Sequence, residues 1–250
     1  MSEAKPGRIQ SIDALRGLCV LLMCIHHFLF DLAAFLGAPW WLYENPAFSV
    51  FQFLVAGCFI LLSGVSSRFS RSNIRRGLKV FAIALALTLV TWLGDRIFTR
   101  LAWDSVGLTV FFGVLHMLGF SMLFYGLTRK LWDRLPDRAA PALYLLAIVL
   151  TGRCAWGVCC TEIPWLFPFG FITEEFYSGD YYPILPWLFV FLLGTWIGEK
   201  IRLGRFPARF YTAKYPFFPV MGRHALLIYI LHQPVLAGFT LLIGRIFGIL

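Results

Sequence analysis

The stretch ALRGLCVLLMCIHHFLFDLAAF, residues 14–35, decides the fold class of this protein. It is long and apolar enough to cross the hydrocarbon core of a bilayer, about 30 Å thick, as one α-helix. The central part of a cleaved signal peptide is purely apolar, whereas this stretch contains Arg16, His27 and Asp31. We therefore predict a membrane helix that is retained in the protein.

Similar apolar stretches follow along the whole chain. Hydrophobic residues make up 59% of its 250 residues, more than the roughly 45–50% of ordinary soluble domains. A soluble core cannot bury so much apolar surface. The sequence predicts an all-α, polytopic membrane helix bundle of about seven transmembrane helices, in a single domain over residues 1–250. The predicted spans are residues 14–35, 47–65, 78–93, 106–127, 141–160, 183–198 and 225–247.

The net charge of +9 is unevenly distributed along the chain. The basic residues lie in short segments between the apolar stretches, a pattern of membrane topology rather than of nucleic-acid binding. If the N-terminus is cytoplasmic, almost all of them fall on the cytoplasmic side, as the positive-inside rule requires. We predict an integral protein of a bacterial cytoplasmic membrane, with a cytoplasmic N-terminus and no nucleic-acid partner. Association of several copies as a homo-oligomer stays open.

The polar residues of the first span lie on one face of the predicted helix. At about 100° per residue, Asp13, His27 and Asp31 project within about 60° of Arg16, while His26 points elsewhere. Charged groups in a membrane helix are costly unless they face the bundle interior or water, so this face lines something polar. One interpretation is a structural network in which Asp13 pairs with Arg16 and Asp31 anchors the helix at the membrane interface. The other is functional, with Asp31 orienting His27 as a general base.

Two further histidines lie in predicted spans. His116 lies three residues from both Gly113 and Gly119, so its surroundings allow either a ligand or a neighbouring helix to come close. His232 precedes Pro234, which removes a helix hydrogen bond and leaves carbonyl groups that His232 or Gln233 can bind. A structural role at the resulting kink and a role in ligand binding both remain open for His232.

The segment between the second and third predicted spans is rich in arginine and in hydroxyl and amide side chains. Positive-inside topology alone explains its basic residues. Guanidinium groups and hydroxyls also bind phosphates, so a phosphate site is the second interpretation. The arginines concerned are Arg68, Arg71, Arg75 and Arg76. The six cysteines show no zinc-ligand spacing, and we expect no metal site.

Four stretches of the chain resemble the catalytic domain of the heparan-alpha-glucosaminide N-acetyltransferase family, part of a transmembrane acyltransferase superfamily. The spacing between Arg16 and His27 also resembles the arginine and histidine signature of the acyltransferase type 3 family. These resemblances imply transfer of an acetyl group from cytoplasmic acetyl-coenzyme A to a sugar on the external side. The four stretches are RIQSIDALRG at residues 8–17, GVLH at 113–116, SGDYYPILPW at 178–187 and LIYILHQP at 227–234.

The chain departs from the lysosomal branch of that family at one position. In that branch asparagine stands at the position matching His27, and the catalytic histidine follows in the next external loop. The matching loop here, residues 37–46, contains no histidine. The catalytic role therefore passes to His27 or another buried histidine, or the chain binds without catalysing.

The leading hypothesis is a membrane-bound N- or O-acyltransferase that moves an acetyl group from acetyl-coenzyme A to a carbohydrate acceptor. The alternative from another class is a transporter or channel, in which the polar face of the first helix relays protons or substrate. A non-enzymatic membrane partner protein is the third. For the enzyme, the predicted catalytic residues are His27, Asp31 and His116, the coenzyme A contacts are Arg16, Arg68, Arg71, Arg75 and Arg76, and the acceptor contacts are Asp180, Trp187 and His232.

Overall fold

The computed structural model describes residues 8–100, 107–156 and 159–249. Helices dominate these ranges, and two short strands, β1 (Cys159–Cys160) and β2 (Phe171–Ile172), pair in parallel. The helices are α1 (Gln10–Leu36), α2 (Pro46–Ser67), α3 (Asn73–Arg100), α4 (Val114–Trp132), α5 (Ala139–Thr151), α6 (Ile184–Arg202), α7 (Ala208–Thr212), α8 (Phe218–Arg223) and α9 (Ala225–Ile246).

Five of these helices are long and apolar enough to cross a membrane: α1, α2, α3 over Asn73–Ile97, α6 and α9. The predicted all-α, multi-pass membrane fold is confirmed, and the protein is an integral membrane protein. The predicted count of seven spans is not confirmed. Two other spans are predicted. Helix α5 is short for a membrane span because it has only 13 residues. Helix α4 is less apolar because Arg129 and Lys130 lie in its last turn.

Two predicted spans differ from the helices that form. The span predicted from residue 106 begins as α4 only at Val114, because Gly113 is extended and the N–H of Val114 is bound by the Asp180 carboxylate. The span predicted to reach residue 160 ends as α5 at Thr151 and continues as a 3-10 turn. An apolar run alone does not distinguish a helix from other buried backbone. The short helices α7 and α8 lie outside every predicted span.

Local sequence signals set several helix boundaries. α1 ends at Leu36 because Gly37 adopts a φ of 68°, a left-handed conformation that glycine takes without steric cost. α2 begins at Pro46, whose missing N–H and fixed φ suit the first helical position. The side chain of Asn45 caps this helix by accepting the N–H of Phe48 at 2.9 Å.

The chain forms two compact units. The first consists of Met1–Leu62 and Gly204–Leu250, and the second of Ser63–Leu203. In the first unit α1 packs against α8 and α9. In the second, α3 packs against α4, and α5 packs against α6. The single domain predicted over residues 1–250 stays a prediction.

In the first unit the backbones of α1 and α8 touch at two glycines. A Cβ atom at Gly17 would collide with the carbonyl oxygen of Phe218, and one at Gly222 with the carbonyl oxygen of Asp13. Small residues at such crossings let membrane helices approach closely. This crossing holds the end of α1 that carries Asp13 against α8.

Candidate functional site

Four polar side chains meet between α1 and α9 in the first unit. The ring centroids of His27 on α1 and His232 on α9 lie 4.7 Å apart. One helical turn further along α1, Asp31 Oδ1 accepts a hydrogen bond from Gln233 Nε2 at 2.8 Å. Residues four apart share one face of a helix, which is why His27 and Asp31 both face α9. We call His27, Asp31, His232 and Gln233 the α1–α9 polar cluster.

The tautomer of His232 is set by the backbone of its own helix. Its Nδ1 lies 2.6 Å from the carbonyl oxygen of Tyr229. A carbonyl oxygen only accepts hydrogen bonds, so Nδ1 carries the proton and Nε2 of the neutral ring keeps its lone pair. Nε2 is buried, and no residue in the described part of the chain hydrogen-bonds to it. His232 therefore presents a proton-accepting nitrogen.

Asp31 is completely buried, with 0% of its surface exposed. Its Oδ2 atom and Gln233 Oε1 are also buried and receive no hydrogen bond from the described residues. Leaving such a group unsatisfied costs about 1–3 kcal/mol. Together with His232 Nε2, the cluster thus holds three acceptor atoms that lack a donor from the described ranges. Within those ranges, no three histidine, cysteine or acidic side chains are placed to hold a metal ion.

The polar residues at the start of α1 pair with one another. Asp13 is 4% exposed and accepts hydrogen bonds from Arg8 and, at 3.3 Å, from Arg16 Nη1. This is the ion pair that the structural interpretation of the polar face requires. The same interpretation gives Asp31 the role of an interface anchor, and in the structure Asp31 is fully buried and bound by Gln233. The coenzyme A contact of Arg16 stays a prediction.

His26 is held by aromatic packing. Its ring is buried and stacks on Phe48 with centroids 5.0 Å apart and planes 5° from parallel. The ring of Tyr43 meets it edge-on at 5.0 Å. These contacts agree with the helical projection that places His26 away from the polar face of α1.

In the second unit both ring nitrogens of His116 are engaged. The hydroxyl of Thr88 donates to the carbonyl of Val110 at 2.6 Å, so it accepts from His116 Nε2 at 3.1 Å. The N–H of Gly113 donates to Nδ1 at 3.2 Å. His116 is therefore the opposite tautomer from His232, and it ties the start of α4 to α3. Its catalytic role stays a prediction.

The glycines on either side of His116 are explained by packing. A Cβ atom at Gly119 would lie 2.8 Å from the backbone nitrogen of Phe81 on α3. One at Gly113 would collide with the carboxylate of Asp180. The bare backbone around His116 allowed either a ligand or a neighbouring part of the protein to come close. The structure shows close packing of the protein at both glycines.

Asp180 and Trp187 also lie in the second unit. Asp180 Oδ2 accepts the N–H of Val114 at 3.0 Å, at the first residue of α4. The N–H of Tyr182 donates to the carbonyl of Phe112 at 2.9 Å, so the two family-like stretches in this unit lie side by side. Trp187 is 2% exposed, with its ring centroid 5.5 Å from that of Tyr182. The acceptor contacts of Asp180 and Trp187 stay predictions.

Arg68 makes three polar contacts within the second unit. Its Nη2 lies 2.6 Å from Asp133 Oδ1, and its Nη1 lies 3.7 Å from Glu199 Oε2. Its Nε donates to the carbonyl of Thr195 at 3.1 Å. Only 8% of the Arg68 side chain is exposed. These contacts explain a structural role, and binding of coenzyme A by Arg68 stays a prediction.

The other arginines between the second and third predicted spans are more exposed to solvent than Arg68. Arg71 and Arg75 are exposed, and Arg76 is half-buried. The Ser72 hydroxyl accepts the N–H of Arg75 at 3.3 Å and caps the first turn of α3. Phosphate binding by these three arginines stays a prediction.

Sequence reasoning did not identify Gln233, Tyr229 or Thr88 as parts of these arrangements. Gln233 lies in the family-like stretch LIYILHQP, which is the one signal available for it. Its partner Asp31 is 202 residues away in the chain, so no local pattern pairs them. The sequence left open whether His232 or Gln233 meets a carbonyl near Pro234, and in the structure His232 Nδ1 lies 2.6 Å from the carbonyl oxygen of Tyr229.

The fold and the α1–α9 polar cluster define a polytopic membrane protein with a half-buried histidine pair beside a buried carboxylate, an arrangement suited to proton transfer. The family model described as heparan-alpha-glucosaminide N-acetyltransferase, catalytic, matches residues 8–234. The chain therefore belongs to this family of membrane acetyltransferases, whose general donor is acetyl-coenzyme A, and the resemblance of the four stretches is confirmed. No curated protein and no solved structure matches the chain.

Proposed function

We propose that this protein moves an acetyl group from cytoplasmic acetyl-coenzyme A to a sugar-type acceptor on the external side of a bacterial membrane, with His27 as the catalytic base. The observation that carries the proposal is the α1–α9 polar cluster, which places two histidines and a carboxylate within two membrane-spanning helices. Membership of the family supports acetyl transfer as the reaction.

In the proposed reaction the acceptor hydroxyl or amine attacks the thioester carbon of acetyl-coenzyme A. A C–O or C–N bond forms while the C–S bond breaks, and the acceptor proton passes to His27, which then gives it to the departing thiolate. General-base catalysis of this kind contributes about 10²–10⁴-fold to the rate. The ring of His232 contacts His27. In this proposal the lone pair at His232 Nε2 accepts a hydrogen bond from the acceptor.

For the donor, we propose that arginines bind the phosphates of coenzyme A. Arg71, Arg75 and Arg76 border the start of α3, and guanidinium groups match phosphate oxygens as paired hydrogen-bond donors. Arg16 and Arg68 are paired with carboxylates, so we assign them a weaker contribution. For the acceptor, Asp180 and Trp187 are the proposed contacts outside the polar cluster, because carboxylates bind hydroxyls and aromatic rings stack on sugars.

The test uses purified protein in proteoliposomes with radiolabelled acetyl-coenzyme A and either glucosamine or glucose. We expect labelled product from the wild type and a loss of about 100-fold or more in His27→Ala. The matched control is His224→Ala, which changes an exposed histidine of the same unit and leaves transfer intact. Label on the amine or on a hydroxyl distinguishes N- from O-acylation.

Two results would contradict this proposal. Full acetyl transfer by His27→Ala would show that His27 is not the catalytic base. Proton flux through the proteoliposomes, without binding of acetyl-coenzyme A, would favour the transporter.

A further inference from the structure

Three buried acceptor atoms distinguish the α1–α9 polar cluster from ordinary helix packing. Asp31 Oδ2, Gln233 Oε1 and His232 Nε2 receive no hydrogen bond from any residue in the described ranges. The hydrocarbon region of a membrane supplies no water to satisfy polar groups, so unsatisfied acceptors are costly there. A ligand that satisfies these atoms must bring hydrogen-bond donors.

A purely structural bond between the helices explains only part of this arrangement. It accounts for Gln233 Nε2 and Asp31 Oδ1, which lie 2.8 Å apart. It does not account for the other oxygen of each side chain, both buried and both without a donor among the described residues. These two oxygens point to a bound group with O–H or N–H bonds.

The three acceptor atoms belong to two levels of the contact between α1 and α9. At one level His232 contacts His27. At the other, four residues or about 6 Å further along α1, Gln233 binds Asp31. A molecule whose reacting group is at His27 can therefore place a second donor group at Asp31 and Gln233. The separation is comparable to the width of one sugar ring.

We propose that Asp31 and Gln233 form a specificity subsite that binds a second hydrogen-bond donor of the acceptor while His27 acts on the reacting group. This inference rests on the proposed acetyl transfer. The acceptor is then a ring compound with a free hydroxyl or amine besides the one that is acetylated. Gln233 determines specificity because its Nε2 donates a hydrogen bond to Asp31 Oδ1. The two remaining oxygens, Asp31 Oδ2 and Gln233 Oε1, then accept hydrogen bonds from the ligand.

The experiment compares each sugar with a six-membered ring compound that carries an amine or a hydroxyl but no other polar group. In proteoliposomes with radiolabelled acetyl-coenzyme A, kcat/KM is measured for glucosamine against cyclohexylamine and for glucose against cyclohexanol. For the pair that is acetylated, we expect the wild type to prefer the sugar at least about 100-fold, because a site built to bind a hydroxyl rejects the analogue that lacks it.

Two variants and one control test whether the preference for the sugar depends on Gln233 and Asp31. Gln233→Leu removes both polar atoms of the amide, and Asp31→Asn replaces one carboxylate oxygen by a donor at constant size. We expect each to lower the preference for the sugar at least about tenfold. Thr240→Val is the control, because Thr240 Oγ1 is another buried acceptor on α9 without a partner among the described residues, outside the cluster. It leaves the preference unchanged.

The outcomes separate this inference from the proposed function. Transfer with an unchanged preference in both cluster variants would overturn the subsite and leave the proposed function standing. Absence of transfer to all four compounds by the wild type would overturn the proposed function, and the subsite with it. If Gln233→Leu elutes as an aggregate in size-exclusion chromatography, the result with Asp31→Asn decides.

Discussion

His26, His116 and His232 have the same side chain, yet the structure uses their ring nitrogens differently. His26 is packed between aromatic rings. His116 has a partner on both nitrogens, whereas His232 has a partner on Nδ1 and, among the described residues, none on Nε2. A histidine can act as a base only through a nitrogen whose lone pair is free, so hydrogen bonding rather than residue type separates these roles.

At the scale of single residues, we predict that His116→Leu destabilises the fold. The substitution leaves the N–H of Gly113 without its acceptor and the Thr88 hydroxyl without the ring N–H, which costs about 1–3 kcal/mol in the free energy of unfolding. Denaturant unfolding in detergent measures the loss, and His224→Leu is the exposed control. Unchanged stability with lost acetyl transfer would instead establish the predicted catalytic role.

A pair of arginine substitutions separates structure from donor binding. We expect Arg68→Ala to lower the free energy of unfolding by about 1.5–3 kcal/mol, because it removes charged hydrogen bonds to Asp133 and Thr195. Arg75→Ala, on an exposed side chain, is expected to leave stability unchanged and to weaken coenzyme A binding by up to about fivefold. Calorimetric titration with coenzyme A measures the affinity. Wild-type affinity in Arg75→Ala would contradict the phosphate contact.

At the scale of helices, close crossings position the polar side chains. α1 contacts α8 at Gly17 and Gly222, and it contacts α9 through the polar cluster. Helix α4 begins where Asp180 binds its first backbone N–H. Membrane helices gain little from the hydrophobic effect between them, so tight backbone contact and hydrogen bonds decide their arrangement.

We predict that Gly17→Ala and Gly222→Ala each destabilise the first unit. The added methyl group would overlap a carbonyl oxygen of the facing backbone, and such overpacking costs about 1–3 kcal/mol. Gly238→Ala on α9 is the matched control, because a Cβ atom there meets nothing within 4 Å. Thermal unfolding in detergent compares the three variants. An unchanged Tm for both Gly17→Ala and Gly222→Ala would contradict the close crossing.

At the scale of the whole molecule, charge distribution predicts the orientation in the membrane. The basic segment before α3 is expected on the cytoplasmic side, and the acidic and aromatic segment around Glu174 on the external side. This orientation matters for the proposed function because it assigns the donor to one side and the acceptor to the other.

Cysteine labelling checks the orientation. In a variant whose six native cysteines are replaced, Glu174→Cys is expected to react with a membrane-impermeant maleimide in intact cells. Arg71→Cys is expected to react only after the cells are permeabilised. The reverse pattern would place the N-terminus outside and would exclude cytoplasmic acetyl-coenzyme A as the ligand of Arg71, Arg75 and Arg76.

Most of the helical architecture could be predicted from the sequence, because helix length and apolar composition are properties of continuous segments. The predicted spans agree well with α1, α2, α6 and α9. The beginning of α4 could not be predicted, because it depends on Asp180, 66 residues away from Val114. Nor could the end of α5, since its apolar sequence continues past Thr151 as a 3-10 turn.

By itself, the sequence determined that the protein is an all-helical membrane protein with Asp13, Arg16, His27 and Asp31 on one face of its first helix. Both conclusions follow from composition and from the regular geometry of the α-helix. Only the tertiary structure decided that Gln233 binds Asp31, that no described residue binds the lone pair at His232 Nε2, and that the N–H of Gly113 binds the lone pair at His116 Nδ1. The physical reason is that a hydrogen bond depends on which atoms lie within reach. For Asp31 and Gln233 these atoms are 202 residues apart in the chain.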